Sequence, residues 1–153
     1  MRVLELKVPP AAVVLFMAAL MWLVSWALPT FGFVFPARGL FAVSFAGAGV
    51  VTSSLGVVSF RRARTTVNPM RPDSSSSLVL SGVYTFTRNP MYLGFLLALL
   101  GWGTCLSNAL AFLFLPAFIF YMNRFQIEPE ERALASLFGR EFVAYKSRVR
   151  RWF

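Results

Sequence analysis

The chain has 153 residues, of which 58% are hydrophobic and 14% are charged, and its formal net charge is +9. This length predicts a single domain over residues 1–153, and the composition is too apolar for an ordinary soluble domain of this size. The basic residues alternate with long uncharged runs, which is typical of membrane topology rather than of nucleic-acid binding. The chain has no histidine and a single cysteine, Cys105, so we expect no metal site and no intramolecular disulfide.

Four apolar stretches predict membrane-spanning helices, at about residues 9–28, 39–60, 90–106 and 109–123. The first two are long enough to cross a bilayer core of about 30 Å, and the first is too long for a typical cleaved signal core. The last two offer about 16 residues each, or about 24 Å of helix, so we expect this hairpin to be tilted, extended or recessed from one surface. None of the four contains a charged residue, which argues against ion transport.

The second span carries small residues, among them Gly47 and Gly49. Small residues allow membrane helices to approach closely, so packing is the first interpretation. The same Gly-x-Gly could also form a backbone notch against a ligand. The sequence alone leaves both roles open.

The stretch 61–89 is polar and contains five arginines against one acid, Asp73. Its prolines and its serine run predict a loop. Positive charge concentrates in cytoplasmic loops, so we place this loop in the cytoplasm. With an even number of spans both termini face the cytoplasm as well, and the expected location is a bacterial inner membrane.

Arg88-Asn89-Pro90 marks the point where this loop turns into the third span. Pro90 suits the first turn of a helix, and Asn89 suits an N-cap whose side chain accepts from the exposed amides. Arg88 would then lie at the membrane surface beside the positive end of the helix. Two interpretations are open: a capped helix with an arginine at the lipid headgroups, or an anion site formed by Arg88 and the free amides.

The C-terminal segment, 124–153, is the second polar element. Pro129 suits a first helical position, and Glu130 and Glu131 would fall in the first turn, where the helix dipole favours acids. Apolar residues then recur at three- and four-residue spacing and predict an amphipathic cytoplasmic helix, interrupted at Gly139. Trp152 and Phe153 would anchor the end of the chain at the membrane interface.

The two polar elements together offer Arg88 and Asn89 at one helix start and Glu130 and Glu131 at another. S-adenosylmethionine is a zwitterion that would use such a set, because an arginine suits its carboxylate and acids suit its ammonium or ribose hydroxyls. Methyl transfer from its sulfonium needs neither metal nor histidine if the acceptor is anionic or a deprotonated amine. The residues permit this chemistry without selecting it.

The sequence resembles the isoprenylcysteine carboxyl methyltransferases and the related phospholipid methyltransferases over about residues 61–152. The shared motifs, in chain order, are Thr66-Val-Asn-Pro, Gly82-Val-Tyr, Arg88-Asn-Pro-Met-Tyr-Leu-Gly94, Glu130-Glu131, Phe138-Gly-Arg-Glu-Phe-Val-Ala-Tyr145 and Arg148-Val-Arg-Arg-Trp152. The resemblance implies an all-α, multi-pass membrane helix bundle of about four spans. It also implies that S-adenosyl-L-methionine binds at the cytoplasmic end and that a lipid-bearing acceptor enters from the bilayer.

The resemblance also implies residue roles. The cofactor site would consist of the motif residues Arg88, Asn89, Pro90, Tyr92, Glu130 and Glu131. Arg88 and Glu131 would be the catalytic pair nearest the transferred methyl, and Gly47-x-Gly49 is a weak counterpart of a Gly-x-Gly used in the phospholipid branch. Asn89 stands where the prenylcysteine enzymes usually have histidine, and Phe142 stands where they usually have tyrosine. The acceptor is therefore open: a carboxylate, an amine headgroup or a small hydrophobic molecule.

Two other functions stay in view. A membrane reductase of the sterol-reductase type would use NADPH, and such proteins resemble this family in their last helices, including a Pro-x-Tyr-Leu-Gly motif. A non-catalytic accessory subunit would keep the fold without turnover. The pairing of Arg88-Asn-Pro with Glu130-Glu131 favours the methyl donor over NADPH.

Overall fold

The computed structural model describes residues 5–63 and 77–153, and these form a bundle of helices. The helices are α1 (Pro10–Ala27), α2 (Arg38–Arg62), α3 (Pro90–Leu106), α4 (Phe114–Met122) and α5 (Glu128–Arg148). No strand occurs in the described part of the chain, where Gly32 and Asn108 form an isolated bridge. The predicted all-α membrane bundle is confirmed. The Thr66-Val-Asn-Pro motif, Asp73 and most of the predicted loop lie outside the described residues.

Three helical segments are long and apolar enough to cross a membrane: Pro10–Ala27, Arg38–Arg62 and Ala109–Arg148. The fourth apolar helix, α3, is shorter, and its 17 residues correspond to about 25 Å. In the third segment the charged residues begin only at Arg124. The apolar part of that segment therefore coincides with the predicted span 109–123.

The helix α3 occupies the centre of the bundle, where it contacts α1, α2 and α4. The side chains buried most completely in the core are Met21, Leu99, Phe118, Met122 and Ile127, which come from α1, α3, α4 and the turn after α4. The outer faces of α1 and α2 leave large apolar side chains exposed, among them Leu15, Phe16, Trp26, Leu40 and Val43. An exposed apolar surface of this kind suits contact with lipid rather than with water.

The helices α2 and α3 approach each other at glycines. A Cβ added at Gly49 would lie 2.5 Å from the carbonyl oxygen of Gly94, and one added at Gly94 would overlap Ser53 and Gly49. A Cβ at Gly47 would meet nothing within 4 Å. Gly49 therefore has the packing role that small residues play between membrane helices, whereas Gly47 has no such neighbour.

Pro129 occupies the first turn of α5, as predicted, but no break separates this helix from the fourth span. A π-helical turn, Asn123–Ile127, joins α4 to α5. Pro129 has no N–H to donate to the carbonyl of Phe125, and a π-turn accommodates such a lost bond. That carbonyl instead accepts a hydrogen bond from the Leu6 N–H at 3.0 Å, which ties the N-terminal residues to the turn.

The helix α5 reverses direction at Gly139, so the predicted interruption there is confirmed. Gly139 has φ 51° and ψ −122°, a conformation that residues with a side chain rarely adopt. A straight helix would separate Glu131 from Lys146 by about 22 Å, yet their side chains meet at 2.9 Å. The second half of α5 therefore folds back over the first half.

Candidate functional site

The candidate site lies where the start of α3 meets α5 and the end of the chain. Arg88 directly precedes this helix start, and its side chain is almost completely buried. Its Nη2 donates to Glu131 Oε1 at 2.8 Å, and its Nη1 donates to the backbone carbonyls of Lys146 and Val149. Its buried Nε has no hydrogen-bond partner among the described residues.

Glu131 is buried and is surrounded by three cations. Besides Arg88, both Arg151 and Lys146 approach its Oε2 at 2.9 Å. Burial alone would raise the pKa of this carboxyl, but hydrogen bonds from Arg151, Lys146 and Arg88 lower it to about 2. Glu131 is therefore ionised at any physiological pH. Glu131 falls in the first turn of α5, as predicted, and its carboxylate is in addition paired with these three cations.

Glu130 has different surroundings from its neighbour. The hydroxyl of Tyr92, on α3, donates to Glu130 Oε2 at 3.1 Å. Burial raises the pKa of the Glu130 carboxyl to about 7, while the Tyr92 hydrogen bond opposes the rise and the charge of Glu131 adds to it. Two adjacent carboxyls thus hold different protonation states near neutral pH, an arrangement typical of functional sites.

Asn89 occupies the N-cap position of α3, but its side chain does not cap the helix, so that prediction is wrong. Its Nδ2 donates instead to the carbonyl of Arg151 at 2.9 Å, and its N–H donates to the Thr87 hydroxyl at 3.2 Å. The reason is that the end of the chain lies against this loop and offers an acceptor. Pro90 follows at the first helical position, as predicted, and is buried.

Three residues that the sequence did not single out complete the site: Asn123, Lys146 and Arg151. Arg151 pairs with Glu131, and the side-chain oxygen of Asn123 accepts from Arg151 Nη1 at 3.4 Å and from Trp152 Nε1 at 3.1 Å. Of the predicted interface anchor, Trp152 is partly buried and packs against the core, whereas Phe153 is exposed. Only the reversal at Gly139 brings Lys146 and Arg151 back to Glu131, and no local pattern reveals that contact.

A second contact fixes the reversed half of α5 to the loop before α3. The hydroxyl of Tyr145 donates to the carbonyl of Tyr84 at 2.7 Å, and both residues are buried. Burial raises the pKa of Tyr145 to about 12, so its hydroxyl stays a donor. Tyr84 belongs to the Gly82-Val-Tyr motif, and Tyr145 ends the Phe138 to Tyr145 motif. The two motifs therefore meet in space.

A cleft of about 340 Å³ opens between the two halves of α5, with Glu131 in its wall. Its other lining residues are Glu128, Arg132, Ala135, Phe142, Val143, Lys146 and Arg151. This volume lies at the lower end of the range for small-molecule sites, about 300–1,000 Å³. Within the described residues, no cluster of three or more acidic or cysteine side chains could hold a metal ion.

Of the predicted site residues, the structure brings together Arg88, Glu131, Tyr92 and Glu130 through the two contacts above. Asn89 and Pro90 lie beside them at the start of α3. Gly47 and Gly49 lie on α2, and Gly49 is occupied with packing against Gly94. Helix packing therefore explains Gly49 but not Gly47.

The family model for phospholipid methyltransferases matches residues 37–141. An uncharacterized protein of Haemophilus influenzae is 52% identical over 62 residues, which are 40% of this chain and 98% of that protein. No solved structure matches the chain significantly.

Characterised relatives carry the name protein-S-isoprenylcysteine O-methyltransferase. The protein of that name from Saccharomyces cerevisiae is 37% identical over 82 residues, 52% of this chain and 33% of the relative. Form B from Arabidopsis thaliana is 29% identical over 101 residues, 66% of this chain and 51% of the relative. The chain thus matches a third to a half of the length of these two relatives. It is an integral membrane protein and belongs to the phospholipid methyltransferase family, related to the isoprenylcysteine methyltransferases.

Proposed function

We propose that the protein is an S-adenosyl-L-methionine-dependent methyltransferase that acts on a lipid-like or amphiphilic acceptor. The observation that carries this proposal is the buried polar cluster at the start of α3, where Arg88 pairs with Glu131 and Tyr92 pairs with Glu130. These residues come from the two motifs shared with the family. A buried ionic cluster costs desolvation energy, so its presence in so apolar a chain favours a role in binding or catalysis.

The residues present fit a zwitterionic cofactor. Arg88 retains a buried Nε without a partner among the described residues, and a ligand carboxylate would satisfy that donor. Glu130 and Glu131 supply carboxyl oxygens for an ammonium or for ribose hydroxyls. The cleft beside Glu131 has apolar walls at Ala135, Phe142 and Val143 that suit a flat ring.

The cofactor, when bound, supplies a methyl group on a cationic sulfonium. The protein has to hold the acceptor in line with that methyl and exclude water, which alone accounts for a large part of such accelerations. The ionised Glu131 and the cations around it fix the local charge before reaction. With its pKa near 7, Glu130 is able to take a proton from an amine acceptor, whereas a carboxylate acceptor needs no base.

The acceptor is proposed to be lipid-like because the site adjoins helices with exposed apolar faces. Large apolar side chains of α1 and α2 face outward, and an amphiphile in the bilayer would reach the start of α3 along them. The curated relatives are named for isoprenylcysteine O-methylation.

The site is proposed to face the cytoplasm. Five arginines lie in 61–88 and basic residues crowd the C-terminal segment, and such charge concentrates on the cytoplasmic side. Both termini would then face the cytoplasm, in a bacterial inner membrane. Cysteine-accessibility labelling at Ser136, which is exposed on α5, tests this orientation in intact and opened cells. Labelling in intact cells would contradict it.

The decisive experiment is calorimetric binding of S-adenosylhomocysteine, with NADPH in parallel, to detergent-purified protein. We expect micromolar binding of the first ligand alone, lost in Glu131→Ala and kept in Arg140→Ala, which removes an exposed cation. Binding of NADPH instead would move the protein to the reductases. Binding of neither ligand by folded protein would favour an accessory subunit.

A further inference from the structure

The C-terminal tail, Val149–Trp152, follows α5 without regular secondary structure and lies along the loop that precedes α3. The Arg88 N–H donates to the carbonyl of Arg150 at 3.0 Å. The Thr87 hydroxyl and the Asn89 Nδ2 both donate to the carbonyl of Arg151, at 3.2 and 2.9 Å. The tail therefore pairs through its backbone with three consecutive residues, 87–89, at the start of the candidate site.

The side chain of Arg151 turns from this backbone pairing toward Glu131. Its Nη2 donates to Glu131 Oε2 at 2.9 Å and its Nε donates to Oε1 at 3.3 Å, so the contact is bidentate. Its Nη1 reaches Asn123 on the π-turn. A guanidinium that contacts both oxygens of a carboxylate fixes the plane of that carboxylate, as a single-point contact does not.

The fixed plane matters because Arg88 uses one of the same oxygens. Arg88 Nη2 donates to Glu131 Oε1, the oxygen that also accepts from Arg151 Nε. Lys146 is a less effective substitute, because its ammonium is a point charge on a flexible stem and its side chain is about half exposed. Arg151 is thus the described residue that holds both Glu131 oxygens.

We propose that Arg151 is a positioning residue for this site: it orients the Glu131 carboxylate toward Arg88, and the C-terminal tail is what holds Arg151 in place. The effect of Arg151 on catalysis rests on the proposed function. Its orientation of the Glu131 carboxylate does not depend on any cofactor. The Arg148-Val-Arg-Arg-Trp152 motif, which carried part of the resemblance, thereby has a physical role. Arg151 acts through Glu131.

The first test reads Glu131 directly in protein without ligand. The chain has five glutamates, so ¹³C labelling of glutamate carboxyls gives few resonances, and Glu131→Gln assigns the one required. The charged groups that face Glu131 are Arg88, Lys146 and Arg151, with Glu130 beside it. We expect Arg151→Ala to raise the titration midpoint of Glu131 toward the ordinary value.

The control, Arg150→Ala, removes an exposed side chain and keeps the carbonyl that Arg88 uses, so it should leave the midpoint unchanged. Equal midpoints in the two variants would overturn the proposal.

The second test separates orientation from charge. Arg151→Lys keeps the positive charge but removes the two-point contact of the guanidinium with Glu131. Glu131 should therefore stay ionised at low pH. The affinity for S-adenosylhomocysteine should fall about tenfold, which is close to the loss of one charge-assisted hydrogen bond. Arg151→Ala should lose at least as much, and Arg150→Ala nothing. Wild-type affinity for S-adenosylhomocysteine in Arg151→Lys would overturn the orienting role. This outcome stays informative even if Arg151→Ala fails to fold. If the wild type binds no S-adenosylhomocysteine while Glu131 responds to Arg151→Ala as expected, the proposed function fails and the positioning role stands.

Discussion

Arg88 and Glu131 lie 43 positions apart in the sequence, and their side chains meet at 2.8 Å in a nearly buried ion pair. The pair joins the start of α3 to the first half of α5. Removing one partner of a buried pair leaves the other charge uncompensated, which typically costs about 3–5 kcal/mol when nothing else compensates. Here Arg151 and Lys146 remain beside Glu131, so the loss of Arg88 should impair binding more than folding.

The first prediction concerns Arg88 and the cofactor. Arg88→Ala should weaken S-adenosylhomocysteine binding by about 1.5–3 kcal/mol, the range for a hydrogen bond to a charged group. Arg88→Lys should recover only part of the loss, because lysine lacks the planar guanidinium that donates to Glu131 and to the carbonyls of Lys146 and Val149 together. Isothermal calorimetry measures both, with Arg140→Ala as the control. Wild-type affinity in Arg88→Ala would remove Arg88 from the binding site.

The sequence predicts the helices and the local backbone features at the site, for physical reasons. Long uncharged stretches can only be membrane helices, and Pro90 and Gly139 act through local backbone restrictions. The predicted N-cap role of Asn89 is wrong, because its side-chain amide donates instead to the carbonyl of Arg151. The contacts of Arg151 and Trp152 depend on how the chain reverses, and no local pattern gives the distance between residues 131 and 151.

The join between α4 and α5 near Pro129 shows the same limit of prediction from sequence. A proline near acids is typical of a helix start, so the sequence predicts that a helix begins there. The structure instead absorbs the missing N–H in a π-turn, and the carbonyl of Phe125 pairs with Leu6. The partner of this carbonyl lies more than a hundred residues away in the sequence, so no local pattern reveals the bond.

The second prediction concerns pH and Glu130. Its folded pKa of about 7 lies above the ordinary value of 4.5, so its contribution to stability is fully present below about pH 4.5 and is lost as the pH rises through 7. Glu131, with a pKa of about 2, stays ionised across this window, and the chain has no histidine to titrate there. The free energy of unfolding should fall by roughly 1–3 kcal/mol between pH 4.5 and 7.5.

Glu130→Gln checks this assignment, because it keeps the shape and removes the titration. Denaturant unfolding in detergent at several pH values should show the fall in wild type and a flat profile in the variant. Tyr92→Phe should shift the fall to higher pH, since the Tyr92 hydrogen bond lowers the pKa of Glu130. A wild-type profile in Glu130→Gln would mean that another group titrates.

The third prediction compares two glycines on one helix. Gly49→Ala should destabilise the bundle, because the new Cβ would meet the Gly94 carbonyl at 2.5 Å and the helices must separate, at a cost of about 1–3 kcal/mol for overpacking. Gly47→Ala, two positions away, meets nothing within 4 Å and should be neutral or stabilising by up to about 1 kcal/mol. Thermal unfolding of the two variants gives the comparison directly. Equal melting temperatures would contradict the close approach of α2 and α3.

The fourth prediction concerns the reversal at Gly139, on which the site depends. Its φ of 51° and ψ of −122° suit glycine alone, so Gly139→Ala should cost about 1–3 kcal/mol of backbone strain. No atom lies within 4 Å of the added Cβ, which makes the loss conformational rather than steric. The variant should release the second half of α5, so that Lys146 and Arg151 leave Glu131 and the tail becomes open to protease.

Limited proteolysis with mass spectrometry detects this release, with Ser136→Ala on the same helix as the control. If Gly139→Ala leaves the tail protected and S-adenosylhomocysteine affinity unchanged, the reversal does not depend on a glycine conformation, and the placement of Arg151 must come from its own contacts.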